Sequence, residues 1–300
     1  MSLLSKVDYF VEHDLCHTKV GAALMRTLRK TNISSSIRKR MLFRMMDKGT
    51  YTFMGQTPDI QSFFERNNDR VETICSWFAD EESKNTYLGM IAFRKQVNKK
   101  NLPKYYPPSM QYFDKIVNLR DDEVFIDCGA YIGDTVDSFV NRVPNYKRIV
   151  CFEPDEQNFR ILEKKRLHDF YPIKAGVWIE NTFLSFRDDI ANGSFVSENS
   201  DGMTTQVKVV SIDSIPECAE ATFIKMDIEG SELPALKGAT KTILKNHPKL
   251  AICIYHSNED MMQIAEYIHS LQIDYNYYVR HYSYEAYDTV LYAIPKGEIN

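Results

Sequence analysis

The sequence predicts an α/β fold that is built around a parallel β-sheet. After residue 120, short apolar segments alternate with amphipathic segments, and this order is typical of strands and helices that follow one another along a parallel sheet. The predicted strands lie near residues 123–128, 148–153, 171–176, 222–227 and 249–255, and the predicted helices near 133–142, 155–168, 231–245 and 259–271. Helices are therefore expected on both faces of the sheet.

Two more apolar segments, 275–280 and 289–294, follow the last helix with no room for a helix between them. They must pair antiparallel, because a parallel pair needs a long crossover. A standard dinucleotide fold has no such pair, so we predict a seven-stranded, mostly parallel sheet with an antiparallel last strand. The polar, Gly- and Ser-containing segment 181–210 interrupts the alternation and is expected to form a hairpin.

The first third of the chain has a helical pattern instead. Apolar residues recur at helical spacing over 15–48, and further helices are predicted over 60–77 and 80–94. A proline-rich and charged segment, 99–109, then disfavours helix. We therefore predict a helical N-terminal cap over residues 1–108, which covers the active site and shapes the acceptor pocket, and a catalytic domain over 109–300.

A glycine-punctuated turn follows the first predicted strand. Asp127 ends that strand, Gly129 and Gly133 punctuate the turn, and Glu153 ends the second strand. A glycine allows backbone to approach a ligand closely, and a helix that begins at Gly133 turns its free N–H groups toward the pocket. Glu153 is placed to accept hydrogen bonds from both hydroxyls of a ribose, so this pattern predicts a nucleoside-binding unit.

The spacing of the glycines favours one class of nucleoside. A dinucleotide site usually needs a third glycine for the pyrophosphate, but residues 130–132 are Ala, Tyr and Ile, and Asp134 adds a carboxylate that repels phosphate. S-adenosylmethionine has no phosphate, and Asp127 and Asp134 could face its sulfonium and ammonium. The alternative is that the glycines only make a tight turn and that Asp134 caps a helix.

The segment from 123 to 295 resembles the FkbM family of S-adenosylmethionine-dependent methyltransferases. The resemblance rests on DCGAYIGDT (127–135), FEP (152–154), SIDSI (211–215), IKMDIEGSELPALKGA (224–239) and IYH (254–256). It implies a class I, Rossmann-like methyltransferase domain that methylates oxygen, in many members on sugars or sugar-bearing natural products.

Together, the motifs and the strand ends define a predicted cofactor site. Its residues are Asp127, Gly129, Tyr131, Gly133, Asp134, Thr135, Glu153, Pro154, Asn158, Gly176, Val177 and Asp227. Val177 and Trp178 are expected to flank the adenine.

Three residues at the ends of later strands are the predicted catalytic group. His256 follows a buried strand and is interpreted as a general base with a pKa near neutrality, since a sugar hydroxyl must lose its proton to attack a methyl group. Asp227 could bind the ammonium of the methionine moiety or orient substrate, and Glu229 could receive a substrate hydroxyl or its proton. The alternative for Glu229 and Glu232 is that they only stabilise the following helix. His281 is a weaker candidate for substrate contact.

The same group of Asp227, Glu229 and His256 would also suit a divalent metal, because it offers oxygen and imidazole ligands. It equally suits a proton relay, and we predict no metal site from the sequence.

Composition narrows the class of protein. Apolar residues make up 44% of the 300 residues, enough for a proper core, and the six cysteines form no CxxC pair, which is typical of reduced cysteines in a cytosolic protein. No segment resembles a signal peptide or a transmembrane span. Residues 1–50 hold ten Lys/Arg against four Asp/Glu, but aromatic residues are not interleaved with them, so nucleic acid is not the expected partner.

These observations predict a cytoplasmic S-adenosylmethionine-dependent O-methyltransferase. The expected acceptor is a sugar, a nucleotide-linked sugar or a glycosylated small molecule, and a homodimer is left open. Two alternatives remain, a non-catalytic scaffold that binds the cofactor and a nicotinamide-dependent oxidoreductase.

Overall fold

The computed structural model of the protein describes residues 35–53, 56–187 and 204–297. A seven-stranded sheet forms its centre. Its strands are β1 Val124–Cys128, β2 Arg148–Phe152, β3 Phe170–Ile173, β7 Phe223–Met226, β8 Lys249–Cys253, β9 Tyr275–His281 and β10 Thr289–Pro295. They lie side by side in the order β3-β2-β1-β7-β8-β10-β9. All pairs are parallel except those of β10, which runs antiparallel to β8 and β9. This confirms the predicted sheet.

The helices that come after β1 along the chain cover the sheet. They are α5 Asp134–Val140, α6 Glu156–Leu162, α7 Glu232–Lys237, α8 Thr240–Asn246 and α9 Asp260–Ser270. The central strands β1, β7 and β8 are buried at every residue, as expected for strands that are covered on both faces. The loops that follow these strands are therefore attached to a buried, fixed framework.

The prediction of one strand over 171–176 was wrong in its second half. The main-sheet strand ends at Ile173, and Gly176–Val177 forms β4 in a second, three-stranded sheet of order β4-β6-β5. There, β5 Thr182–Arg187 and β6 Thr204–Val210 pair antiparallel, which confirms the hairpin for its described residues. Ala175 donates its N–H to the Ile173 carbonyl at 2.9 Å, and this tight turn takes the chain out of the main sheet.

The predicted helix over 231–245 is two helices, α7 and α8. The carboxylate of Asp213 accepts hydrogen bonds from the backbone N–H groups of Lys241 and Thr242, at 2.9 and 2.8 Å, and so caps the second helix from outside. A Cβ at Gly238 would lie 2.0 Å from the Trp178 carbonyl oxygen. Only glycine therefore allows the backbone at Trp178 to pass over the break between the two helices. The predicted helices over 133–142 and 155–168 are also shorter than expected.

The described N-terminal helices are α1 Ser35–Asp47, α2 Ile60–Arg66, α3 Asn68–Trp77 and α4 Glu81–Lys95. The helix predicted over 60–77 is broken at Asn67, whose side-chain amide donates to the Phe63 carbonyl at 2.9 Å. Most of the helix predicted over 15–48 lies outside the described residues. The helix predicted over 80–94 is confirmed, and Asp80 caps it by accepting from the Ser83 N–H at 2.7 Å.

The N-terminal helices pack along β9, the edge strand of the sheet. Ala79 donates its backbone N–H to the Tyr277 carbonyl at 2.9 Å, and Tyr106 donates to the His281 carbonyl at 2.8 Å. The N–H of Val279 is taken up by the hydroxyl of Ser83 at 3.0 Å. The preceding part of the chain therefore binds three backbone groups along this edge.

One hydrophobic cluster joins the N-terminal helices to the sheet. It includes Met45, Ile74 and Met90 from the helices together with Ile224 and Ile252 from the strands. The division into 1–108 and 109–300 stays a prediction. Within the described residues, no helix has both the length and the apolar character that crossing a membrane requires.

Candidate active site

The turn after β1 lies directly against the turn after β7. Gly129 has φ +81°, and a Cβ there would lie 2.1 Å from the carbonyl oxygen of Asp227. The N–H groups of Gly129 and Ala130 both donate to the Phe152 carbonyl at 3.0 Å, which holds the turn over the end of β2. Glycine is therefore required at this position for the two turns to meet.

The second glycine begins helix α5. Gly133 has φ +83°, and a Cβ there would lie 2.1 Å from Cε of Lys165, so this glycine makes room for a lysine stem. Asp134 is exposed and Thr135 half-buried at the first turn of the helix. The predicted helix start is thus confirmed, while the binding role of these residues stays a prediction.

Glu153 lies at the end of β2, where it was predicted to face a ribose. Its carboxylate accepts hydrogen bonds from the backbone N–H of Tyr131 at 2.8 Å and of Asp155 at 2.9 Å, and from the side chain of Asn158 at 3.5 Å. Burial raises the pKa of Glu153 in spite of these donors. The side chain is held in one position at the end of the strand, beside Pro154, which is half-buried.

Asp127 does not have the open position that was expected for contact with a cofactor cation. It is fully buried, and its carboxylate lies 2.9 Å from the ammonium of Lys225, which is itself 2% exposed. Lys225 also donates to the Gly129 carbonyl at 2.9 Å. Lys225 already balances the charge of Asp127 under the turn, which makes the aspartate part of the frame of the site.

Asp227 is held by two tyrosines. The hydroxyl of Tyr112 donates to Oδ2 at 2.7 Å, and the hydroxyl of Tyr255 donates to Oδ1 at 2.9 Å. Burial alone would raise the pKa of Asp227, but the charges of Lys225 and His256 and the two hydroxyls hold it below its ordinary value. Asp227 is therefore a fixed anion at neutral pH.

His256 is enclosed by three carboxylates. Its Nδ1 lies 3.2 Å from Oε1 of Glu232, and its Nε2 lies 3.4 Å from Oδ1 of Asp227 and 3.5 Å from Oε2 of Glu229. Burial opposes the charged imidazolium, but Glu232 and then Asp227 and Glu229 raise the pKa of His256 to about 9. The expectation of a pKa near neutrality was wrong, because it took no account of Glu232.

Glu229 is the exposed member of this group. Its side chain is 58% exposed, while that of His256 is 2% exposed. The backbone at Glu229 has φ +56°, and at Gly230 φ +95°, so two left-handed residues turn the chain after β7. This turn brings Oε2 of Glu229 to 3.5 Å from Nε2 of His256, and the catalytic role of Glu229 stays a prediction.

Three further residues differ from the expectations. Val177 is 3% exposed and belongs to the core, so it has no free face for an adenine, and Gly176 pairs with Val209 in the second sheet. His281 is fully buried, with Nδ1 2.9 Å from the Thr289 hydroxyl, and burial lowers its pKa to about 3. His281 is therefore not available for substrate contact.

Several residues of the site were missed by sequence reasoning. Tyr112 lies just after the proline-rich segment 99–109, in a stretch that carries no motif. Lys225 did give a signal, because a lysine inside an apolar strand needs a buried partner. Arg94 of α4 is also buried and donates to the Asn258 side chain at 2.8 Å and to the Tyr255 carbonyl, on either side of His256.

Comparisons with known proteins show what the chain is similar to. A family profile described as the methyltransferase FkbM domain matches residues 127–285. The chain is similar to the crystal structure of methyltransferase FkbM from Methylobacillus flagellatus KT, with 26% identity and a TM-score of 0.69 over 96% of this chain and 77% of that chain.

Two other solved structures are more distant. Precorrin-6y C5,15-methyltransferase from Geobacter metallireducens GS-15 has 14% identity and a TM-score of 0.39, over 60% of this chain and 84% of that chain. Fibrillarin from Aeropyrum pernix, in complex with S-adenosyl-L-methionine, has 11% identity and a TM-score of 0.36, over 59% of this chain and 69% of that chain. A search of curated proteins found no match.

Proposed function

Because the chain belongs to the FkbM family of methyltransferases, we propose that it uses S-adenosylmethionine to methylate a hydroxyl group of a sugar, a nucleotide-linked sugar or a glycosylated small molecule. The observation that carries the proposal is that carboxylates follow the ends of β2 and β7, the two strands beside β1 and its glycine turn, namely Glu153, Asp227 and Glu229. Such a crevice suits a cationic ligand without phosphate.

The residues present fit this cofactor. The Glu153 carboxylate is held in place by two backbone N–H groups, and each of its oxygens can accept a further hydrogen bond from a ribose hydroxyl. The exposed carboxylate of Asp134 and the fixed anion of Asp227 would attract the ammonium and the sulfonium. When bound, the cofactor supplies a methyl group on a sulfonium leaving group.

The protein's own residues then have to place the acceptor and take its proton. In-line transfer requires the acceptor oxygen to be aligned with the methyl carbon, and alignment can contribute several kcal/mol. The side chain of Glu229 is 58% exposed and that of Asp227 is 24% exposed, so an acceptor hydroxyl would reach Glu229 first, and its Oε2 can accept that proton.

His256 can act as the base only after it has lost its own proton. In the free protein, three carboxylates keep it charged, since its pKa is about 9. Another positive charge that enters among Asp227, Glu229 and Glu232 would lower this pKa, because it weakens the same attraction. We therefore assign the role of base to Glu229, and the base role predicted for His256 would require a neutral imidazole with a free Nε2.

The two alternatives differ in what they bind and what they catalyse. A nicotinamide-dependent oxidoreductase would need a phosphate site, which the carboxylate of Asp134 disfavours. A non-catalytic scaffold would bind the cofactor and transfer no methyl group. The cytoplasmic location and the homodimer stay predictions.

The test separates binding from catalysis. We expect S-adenosylhomocysteine to raise the melting temperature of the protein and NAD to leave it unchanged, since only a ligand of the native state stabilises it. Labelled cofactor is then incubated with candidate sugars and nucleotide sugars, and the product is identified by mass spectrometry. Stabilisation by NAD alone would overturn the proposal, and binding without transfer to any hydroxyl-bearing acceptor would support the scaffold.

A further inference from the structure

We propose that His256, Asp227 and Glu229 bind a divalent metal ion, and that Glu232 holds the imidazole in position for it. This goes beyond the proposed methyl transfer, because it concerns a second ligand of the same crevice. The argument comes from the distances around the imidazole and from buried polar atoms that have no hydrogen-bond partner.

The first observation is the spacing of the potential ligand atoms. Oδ1 of Asp227 and Oε2 of Glu229 lie 3.4 and 3.5 Å from Nε2 of His256. Adjacent ligands of an octahedral ion with bonds of about 2.1 Å are about 3.0 Å apart, so small side-chain movements would bring both oxygens and Nε2 onto one ion. Asp227 and His256 also belong, with Glu232, to a group whose ligand-type atoms lie within 4.8 Å of one another, and in our proposal Glu232 holds the imidazole.

The second observation is that some buried polar atoms of His256 and Glu232 lack hydrogen-bond partners. Within the described residues, neither ring nitrogen of His256 has a hydrogen-bond partner of normal geometry, and Oε2 of Glu232 has none. His256 is 4% exposed and Glu232 is fully buried. Buried polar groups are nearly always hydrogen-bonded or bound to an ion, so an Nε2 that faces two carboxylates without a hydrogen bond points to a missing ligand.

The two sides of the imidazole are used differently. Nδ1 faces Glu232, whose Oε1 is fixed by the backbone N–H of Ile228 at 2.8 Å. A histidine that binds a metal usually donates its other ring N–H to a carboxylate, which sets the orientation of the ring. With Glu232 in that role, Nε2 is the nitrogen that faces the two remaining carboxylates and the ion.

The charges of the crevice also favour a cation. Three carboxylates surround one imidazole. The nearby ammonium of Lys225 is bound to Asp127. Even with a charged His256 the cluster is negative, so a divalent ion would relieve repulsion among its carboxylates.

The ligand types indicate the class of metal. Two carboxylates and one imidazole, without thiolates, suit Mn²⁺ or Mg²⁺ rather than a structural zinc ion. Glu229 is 58% exposed, so the outer side of the site faces solvent and leaves coordination positions for water or for an acceptor hydroxyl.

Mn²⁺ alone is the probe that tests this site. The full chain is dialysed against EDTA and titrated with Mn²⁺, and the loss of the signal of free Mn²⁺ is followed by electron paramagnetic resonance. We expect one bound ion per chain, at least tenfold weaker binding in Asp227→Asn and Glu229→Gln, and ten- to a hundredfold weaker binding in Glu232→Gln. Glu163→Gln, which changes an exposed glutamate elsewhere, should bind as the parent does.

Glu229→Gln serves as the control for misfolding, because an exposed side chain can lose its charge without harm to the core. The inference is overturned if the folded parent binds no Mn²⁺, or if Glu229→Gln and Asp227→Asn bind it as tightly as the parent. Binding of S-adenosylhomocysteine is measured separately. Cofactor binding without Mn²⁺ binding would reject the metal site alone, and Mn²⁺ binding without cofactor binding would reject the proposed function alone.

Discussion

The ammonium of Lys225 lies 2.9 Å from the carboxylate of Asp127, and both side chains are almost completely buried. Burial raises the pKa of Asp127 and opposes the charge on Lys225, but Asp127 and Asp227 together raise the pKa of Lys225. We take the pair as ionised at neutral pH, because Asp127 lies against a full positive charge. The pair fixes the end of β1 beneath the glycine turn.

Replacement of Lys225 by Met should therefore destabilise the fold strongly. It leaves the buried Asp127 carboxylate without a partner, which costs about 3–5 kcal/mol of the free energy of unfolding. The double change Asp127→Asn with Lys225→Met should cost less, because no charge is then left alone. Urea unfolding measures both.

Lys147→Met is the matched control, because Lys147 forms an exposed ion pair with Glu220 at 3.1 Å. It should barely change the urea midpoint. If Lys225→Met were as stable as this control, the pair would have no structural role.

The stability of the metal-free protein should fall as the pH rises above neutrality. His256 has a pKa of about 9 in the folded state and an ordinary value of 6.5, so the folded state binds the proton more tightly. The stabilisation is complete below about pH 6.5 and is lost as the pH rises to about 9, and it amounts to about 3 kcal/mol. Urea midpoints between pH 6 and pH 10, in EDTA, check this dependence.

His256→Gln supplies the comparison for the pH series. The variant should have a lower midpoint at pH 6 and a flatter dependence between pH 6.5 and 9. Parallel curves for the parent and the variant would mean that the three carboxylates do not hold a proton on His256.

Gly129→Ala should disrupt the site far more than Gly49→Ala. Both glycines have a positive φ, +81° and +68°, so alanine is strained at either position. Only at Gly129 would the new Cβ collide with backbone, 2.1 Å from the Asp227 carbonyl oxygen, while nothing lies within 4 Å at Gly49. We expect a cost of about 1–2 kcal/mol at Gly49 and a clearly larger loss at Gly129. Thermal unfolding and binding of S-adenosylhomocysteine measure the difference, and equal effects would show that the contact between the turns is not needed.

Glu153→Gln should weaken cofactor binding more than it lowers turnover. The amide keeps the shape of the side chain but loses one acceptor and the charge, and we expect about a tenfold rise in the Kd for S-adenosylhomocysteine. Calorimetric titration checks the affinity, with Glu163→Gln as an exposed control. A normal Kd together with low turnover would place the ribose elsewhere.

Tyr112→Phe should lower turnover by its effect on Asp227. The change removes the hydrogen bond of 2.7 Å to Oδ2, and a bond to a charged group is worth about 1.5–3 kcal/mol. Tyr146→Phe is matched in chemistry, because its hydroxyl donates to the His168 carbonyl at 2.7 Å, away from the crevice. Both variants should lose stability, but only Tyr112→Phe should lose kcat/KM. If the two behaved alike in activity, Tyr112 would be only structural.

The order of strands and helices in the C-terminal part of the chain could be predicted because parallel strands leave a strong periodic pattern, and because 275–280 and 289–294 leave no room for a crossover. Residues at strand ends, such as Glu153 and Asp227, could be predicted for the same reason. The broken helix at Gly238 could not, since its cause is Asp213 from a distant part of the chain. The high pKa of His256 was missed because Glu232 was interpreted only as a residue that stabilises the start of a helix.

The edge of the sheet at β9 also affects how the protein meets its neighbours in solution. Ala79, Ser83 and Tyr106 bind three backbone groups of β9, so the row of donors and acceptors that a neighbouring molecule could pair with is interrupted. An unprotected outer strand is a template for intermolecular pairing. The segment from Ala79 to Tyr106 thus also protects the protein against pairing with its neighbours, and a chain that lacked this segment would tend to aggregate even if its active site were intact.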